Sequence, residues 1–383
     1  MILSERIKAR ALELGFDVVG ICPAGPAEHL PFYLEWLAAG YHGTQDYLAR
    51  PDRVARRQDL NIILPGAQSL VVVGSHYWPG PPPPEVRDPA RGHISCYAQG
   101  PDYHQIMLPM LEALLEFVRT QARRPVRGRV YVDTGPLLER DHALAAGLGF
   151  IGKNCNLVRP RNGSWSFLGV LLLDIPLEPD RSEELGAAAS SRSHPSCGRC
   201  TRCLEACPTR ALVRPFTLDS RRCISYLTTA LKGAIPRELR RHLGNHIFGC
   251  DICQTVCPWN RFARPAEPPP LAQPRVHPAP LLLELIGLSA NEFQARYGRT
   301  PIGHRGHELF LRNVAVALGN WGAAEAVPSL VWALENSEPL VRGHAAWALG
   351  EIGGAAAHMA LEEAMAREEN PGVADEISRS LAP

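Results

Sequence analysis

The chain of 383 residues is 45% hydrophobic and 21% charged, with a formal net charge of +1. These are ordinary proportions for a globular protein and exclude wholesale disorder, while the length provides for two or three domains. Only three lysines, Lys8, Lys153 and Lys232, accompany 37 arginines, a bias with genome composition as its default explanation and guanidinium recognition of phosphate as the alternative.

Ser4 to Val19 reads as an amphipathic helix running into a strand, without the apolar core of a signal peptide. The longest apolar stretch, Phe167 to Leu173, stops at Asp174, far short of the roughly 20 residues of a membrane helix. A cytoplasmic protein without membrane partners is therefore expected; the sequence leaves the oligomeric state open, with a monomer as the default. Up to about residue 175, helical periodicity alternates with short apolar runs at Ser69 to Gly74, Arg129 to Asp133 and Leu168 to Asp174, which predicts an α/β layer over residues 1–177. A loop from Trp78 to Gly92, with four consecutive prolines, interrupts it on the surface, and Glu178 to Ser196 reads as a linker. A cysteine-rich domain over 178–264 follows, and the Pro-rich stretch Pro265 to Pro280 leads into a helical tail, giving a third domain over 265–383. In that tail Arg312-Asn-Val-Ala-Val-Ala-Leu-Gly319 is echoed by Arg342-Gly-His-Ala-Ala-Trp-Ala-Leu-Gly350, with a helix-like Ala326 to Leu334 between them. This spacing predicts stacked helical hairpins of the HEAT type, too few to stand alone, with Arg312 and Arg342 lining one face.

Eleven cysteines without a signal peptide point to metal ligation rather than disulfides. Cys197-x2-Cys200-x2-Cys203-x3-Cys207-Pro208 matches the bacterial ferredoxin run, in which the fourth thiolate reaches across to the other cubane. Cys250-x2-Cys253-x3-Cys257-Pro258 is the same run with Ile247 where its first cysteine belongs, and Cys223 supplies the missing thiolate. The expected sets are Cys197, Cys200, Cys203 and Cys257 on one [4Fe–4S] cluster, and Cys207, Cys223, Cys250 and Cys253 on the other. Paired zinc sites are the competing explanation of the C-x2-C spacing; the following prolines and the crossed run favour clusters. Two adjacent clusters pass single electrons inward, so an acceptor is required.

From Cys197 to Arg264 the chain carries a formal surplus of +8. A polyanionic partner such as nucleic acid and a merely solvated or cluster-screening surface account for it about equally well. The tail from His304 has the opposite balance, 11 acids against 5 arginines.

In the first domain, Val132-Asp133-Thr134-Gly135-Pro136 places a carboxylate at a strand end, where α/β sheets present reactive groups, although a strand-end cap is the commoner role. Leu138-Glu139-Arg140-Asp141-His142 and the glycine-rich Gly147-Leu148-Gly149-Phe150-Ile151-Gly152-Lys153-Asn154 follow. The latter could bring backbone N–H groups to an anion. It matches neither a phosphate-binding loop nor a dinucleotide fingerprint.

Taken with Ile94-Ser95-Cys96-Tyr97-Ala98, Asp102-Tyr103-His104 and the eight cysteines, this ordered series resembles the epoxyqueuosine reductases along essentially the whole chain. The resemblance implies an α+β multidomain protein: a nitroreductase-like α/β cobalamin-binding domain, a ferredoxin-like domain with two [4Fe–4S] clusters and C-terminal HEAT-like α repeats. It implies reduction of epoxyqueuosine to queuosine at the wobble position of tRNA, with electrons passing from an external low-potential donor through the clusters to cobalamin. Asp133 would be the proton donor, since an epoxide oxygen leaves poorly until protonated, and its carboxyl would need burial or an apolar neighbour to stay protonated. Asp102, Tyr103 and His104 would flank the substrate. Arg57, Cys96, Asp133, Lys153, Asn154, Leu157, Ser164, Leu168 and Ser225 would surround the corrinoid. Cys22 and Cys155 are expected to be small buried residues. Reductive dehalogenases, which similarly combine a corrinoid with two clusters, and an electron-transfer scaffold are the competing readings.

Overall fold

The first layer is built on four antiparallel strands in the order β1-β2-β4-β3: β1 (Val18–Pro23), β2 (Ser69–His76), β3 (Gly128–Tyr131) and β4 (Ser166–Leu173). The structure is a computed structural model and describes residues 2–180, 196–267, 271 and 273–382. β2 is the spine, pairing with β1 from Val18↔Gly74 to Pro23↔Ser69 and with β4 from Ser69↔Leu173 to His76↔Ser166. Both faces of the sheet are covered, which is why these strands are nearly continuous apolar runs. Val71, Val73, Leu171 and Leu173 pack beneath α1 (Leu3–Glu13) and a long helix at Tyr103–Gln121, whereas Leu70, Val72, Val170 and Leu172 pack beneath the helix at Glu139–Ala145. Each such side chain contributes about 1.5–3 kcal/mol by leaving water.

β3 ends at Tyr131, two residues before the expected end at Asp133. Asp133 cannot extend the strand because its φ is +61°, in the left-handed region.

Most of the expected linker, residues 181–195, lies outside the described residues. Before it, Asp180 closes onto the edge of β1: its N–H donates to Ile21 O at 2.9 Å, its carboxylate accepts the Ile21 N–H at 2.8 Å, and Lys8 pairs with it.

Packing runs across the expected boundaries at 177/178 and 264/265. His93–Ile94 pairs in parallel with His246–Phe248, and Ile94, Leu227, Ile247, Leu282 and Val314 belong to one core. The tail stacks three helices in succession, His307–Trp321, Pro339–Ile352 and Pro371–Leu381, with further helices at Val327–Ala333 and Ala355–Met365 between them in the chain. The recurring Ala-Leu-Gly marks places where they approach closely. A β-carbon on Gly319 would lie 2.8 Å from Ala348 Cα, and one on Gly350 would lie 2.7 Å from Ser380 Cβ, so only glycine lets the neighbouring helix in.

The two repeat arginines do not line an open face, contrary to expectation. Arg312 is fully buried and donates to the carbonyls of Leu227 (2.6 Å), Leu231 (2.7 Å) and Gly233 (2.6 Å). Arg342 holds Glu368 through both Nε and Nη2 and caps the carbonyls of Asn336 and Ser337. The opposed charges of the cysteine domain and the tail are in part complementary to each other: Glu376 takes Arg237 and Arg240, and Glu351 takes Arg241. Part of the +8 surplus is therefore met internally.

Candidate active site

The eight cysteines form two sets. Cys197, Cys200, Cys203 and Cys257 ring a cavity of ≈ 270 Å³ closed by Lys153, Trp259 and Phe262. The Lys153 N–H donates to Cys197 Sγ at 3.3 Å, and its ammonium ties down the loop through Gly198 O (2.8 Å) and Cys200 O (3.0 Å). Burial, with Cys197 and Cys257 adding charge, pushes the Cys203 thiol up to about 11.

Cys207, Cys223, Cys250 and Cys253 are the second set. Burial pushes Cys250 up to about 12, with Cys223 and Cys207 contributing, and Cys253 is raised well above its ordinary value beside Cys250 and Cys223. The Ala211 N–H donates to Cys207 Sγ at 3.3 Å, and the N–H groups of Tyr226 and Ser225 partly offset the burial of Cys223. Thiols this buried become thiolates when a cationic centre compensates them. Among the described residues no three His, Cys, Asp or Glu side chains stand close enough to hold a single metal ion. Four thiols around a cavity of this size fit a multi-atom cluster better than one zinc ion.

Next to the second set opens a cavity of ≈ 1950 Å³, about twice the ~1,000 Å³ upper end of ordinary small-molecule pockets. Cys155 and Ser220 line it, and the Cys223 N–H donates to Ser220 O at 2.9 Å. Leu157, Leu168, Phe150 and Phe167 supply apolar wall, and Arg57 enters it with its guanidinium 5.2 Å from the Tyr33 ring. Arg57 Nε and His104 Nε2 are buried without a hydrogen-bond partner. A large apolar space with unpartnered polar atoms fits a bulky cofactor with a polar periphery.

Asp133 stands on this cavity with its side chain 67% exposed, so of burial and an apolar neighbour the chain itself does not supply the first. Its Oδ2 accepts from Tyr103 Oη at 3.0 Å and lies 4.0 Å from His104 Nε2. Tyr103 is clamped between the His104 and Phe167 rings, at centroid distances of 4.1 and 4.0 Å. Asp102 caps the Tyr103–Gln121 helix by accepting the His104 N–H at 3.1 Å. Its two oxygens then engage His104 Nδ1 (2.9 Å) and His304 Nε2 (2.7 Å). Burial works to raise Asp102, and the hydrogen bonds from His304 and His104 outweigh it, holding the carboxyl below its ordinary value.

Of the other expected cofactor residues, Ser164 lines the cavity, its Oγ donating to Gln254 Oε1 at 2.9 Å and its N–H to Asn260 Oδ1 at 2.7 Å. Lys153 and Asn154 instead border the first cysteine cavity, with Asn154 Nδ2 donating to Cys253 O. Cys96 and Ser225 do not line the large cavity. Cys96 lies on the second cysteine run, its N–H donating to Asp251 Oδ2 at 2.7 Å. Cys22 is buried as expected, but Cys155, at φ +64°, borders the cavity rather than filling a core. His304 and Glu139 were missed. No local pattern ties His304 to a segment 202 positions earlier, whereas Glu139 stood within a quoted motif as an acid in the first turn of a helix.

The chain is 39% identical to the epoxyqueuosine reductase of Escherichia coli (strain K12) over 351 residues, covering 91% of this chain and 89% of that protein. The chain belongs to the epoxyqueuosine reductase family. The family's relative in Pseudomonas aeruginosa is 40% identical, with 92% and 95% covered. Residues 57–134 match the family model "Epoxyqueuosine reductase QueG, DUF1730", residues 196–260 match "4Fe-4S double cluster binding domain" and residues 305–382 match "HEAT repeats". An epoxyqueuosine reductase crystallised with an epoxyqueuosine-modified tRNA-Tyr stem loop superposes with a TM-score of 0.87 at 33% identity, over 99% of this chain and 98% of that one. The Bacillus subtilis epoxyqueuosine reductase, in a structure whose catalytic aspartate loop is swung out of the active site, gives 0.88 at 33% identity over the same shares. As in that family, the chain carries a [4Fe–4S] double-cluster domain, and no helix among the described residues is long and apolar enough to cross a membrane.

Proposed function

We propose that this protein reduces epoxyqueuosine at the wobble position of tRNA to queuosine in the cytoplasm, as a monomer drawing electrons from an external low-potential donor. The observation that carries the reading is the Asp133–Tyr103–His104 group facing a ≈ 1950 Å³ cavity beside the second cysteine set. Residues 1–177 would bind cobalamin, 178–264 the two [4Fe–4S] clusters, and 265–383 would help to hold the anticodon stem-loop. A cobalamin bound in the cavity would supply a low-valent metal nucleophile, and the clusters would supply its electrons one at a time.

The chain's own part is orientation and proton delivery. Asp133 is the proton donor to the epoxide oxygen; Tyr103 Oη fixes its carboxyl, and the Phe167–Tyr103–His104 stack fixes Tyr103. Asp102 acts one step back, holding His104 toward the cavity and tying it to His304. Arg57, Leu157, Ser164 and Leu168 would contact the cofactor. Cys96, Lys153, Asn154 and Ser225 would act at the cluster loops through which electrons arrive.

The test is anaerobic turnover of the reconstituted protein with cobalamin, a low-potential reductant and epoxyqueuosine-containing tRNA, read by nucleoside mass spectrometry. Loss of one oxygen from the modified nucleoside is expected. An unchanged nucleoside with intact clusters contradicts the reading.

A further inference from the structure

A second acid stands behind Asp133. The Val132-Asp133-Thr134 turn closes with the Thr134 N–H donating to Val132 O at 2.6 Å, and Asp133 sits at φ +61°. A residue with a β-carbon holds such a γ-turn at a cost of about 1–3 kcal/mol, and only where its surroundings enforce it. Two side chains do so here. Arg53 donates to Thr134 O at 3.0 Å, and Glu139 accepts the Asp133 N–H at 2.9 Å while lining the same cavity.

We propose that Glu139 is a positioning residue that both fixes the turn of Asp133 and stores the second proton of the reduction. The inference rests on the epoxide-reductase reading above. Converting an epoxide to an alkene breaks two C–O bonds, forms the second C–C bond and releases water, consuming two electrons and two protons. The electrons come from the external donor; both protons must reach one oxygen. Asp133 delivers one at a time, so it must be recharged within the turnover. A neighbouring carboxylate opposes ionisation of Glu139, so Glu139 keeps its proton to higher pH than a lone exposed carboxyl would. Burial and then the Asp133 charge push Glu139 up to about 8, against the Asp133 N–H, Arg140 and Arg57. Tyr103 faces the pair from its own helix.

Glu139→Gln keeps an oxygen to accept the Asp133 N–H but stores no proton. Wild-type single-turnover reduction is expected to decline through about pH 8; in E139Q that limb should move down by at least about one pH unit, with iron content and tRNA affinity unchanged. A second readout needs no turnover: infrared difference spectra of the cofactor-free protein, titrated from about pH 6 to about pH 10, should lose a protonated-carboxyl band near pH 8 that E139Q lacks. Superimposable rate profiles for the two proteins, or the absence of that band from the wild type, overturn the proposal. A wild type that shows the band but leaves epoxyqueuosine intact overturns the reductase reading instead.

Discussion

Asp102 Oδ2 and His304 Nε2 meet at 2.7 Å although they are 202 positions apart in the chain. The same carboxylate caps the helix that carries Tyr103 and orients His104. One buried aspartate thus connects the first layer to the start of the helical tail.

Asp102→Ala is expected to lower stability by about 2–4 kcal/mol, because it strips a helix cap and leaves two imidazoles without their acceptor. Thermal melts check this. The native hydrogen bonds hold the Asp102 pKa below its ordinary value. Its contribution is therefore present above about pH 4 and is lost as pH falls through the depressed folded value. The wild-type advantage over D102A should narrow in acid.

Asp133→Asn removes the proton but keeps a partner for Tyr103 Oη. Turnover should fall by about 10²–10⁴-fold with iron content and tRNA binding retained. Unchanged turnover would remove Asp133 from the chemistry.

Cys223→Ala should halve the iron, from about eight to about four per chain, and spare the set around Cys197. Iron analysis and electron paramagnetic resonance of the reduced protein give the count. Full retention of iron would take Cys223 out of the ligand set.

Glu139 also predicts a pH-dependent stability difference. Its folded pKa lies near 8, above the unfolded carboxyl value, so its contribution is complete below about pH 4 and is lost as pH rises through about 8. E139Q should gain on the wild type by on the order of 2 kcal/mol between pH extremes, a figure reduced from the full shift because the side chain borders an open cavity. Denaturation at several pH values measures it.

Spacing and period made much of this legible. The crossed cysteine runs put Cys257 with Cys197, Cys200 and Cys203, and these four line one cavity; continuous apolar runs located β2 and β4 because strands covered on both faces leave no polar alternation. Long-range hydrogen bonding was not legible. Arg312 looked like a surface residue by its repeat position, yet three carbonyls from the cysteine domain draw it inside. The same limit applies to the basic surplus around the cysteines, since nothing in local sequence says that Glu351 and Glu376 fold back onto it. Lys153 was placed with the corrinoid by its motif, but its N–H and ammonium both serve the loop of Cys197 to Cys200.

Electron delivery through paired clusters is tested most directly by the iron and acid-labile sulfide content of anaerobically purified protein. About eight of each per chain are expected, four for each cysteine set. Zinc in place of iron, or iron without sulfide, would contradict it.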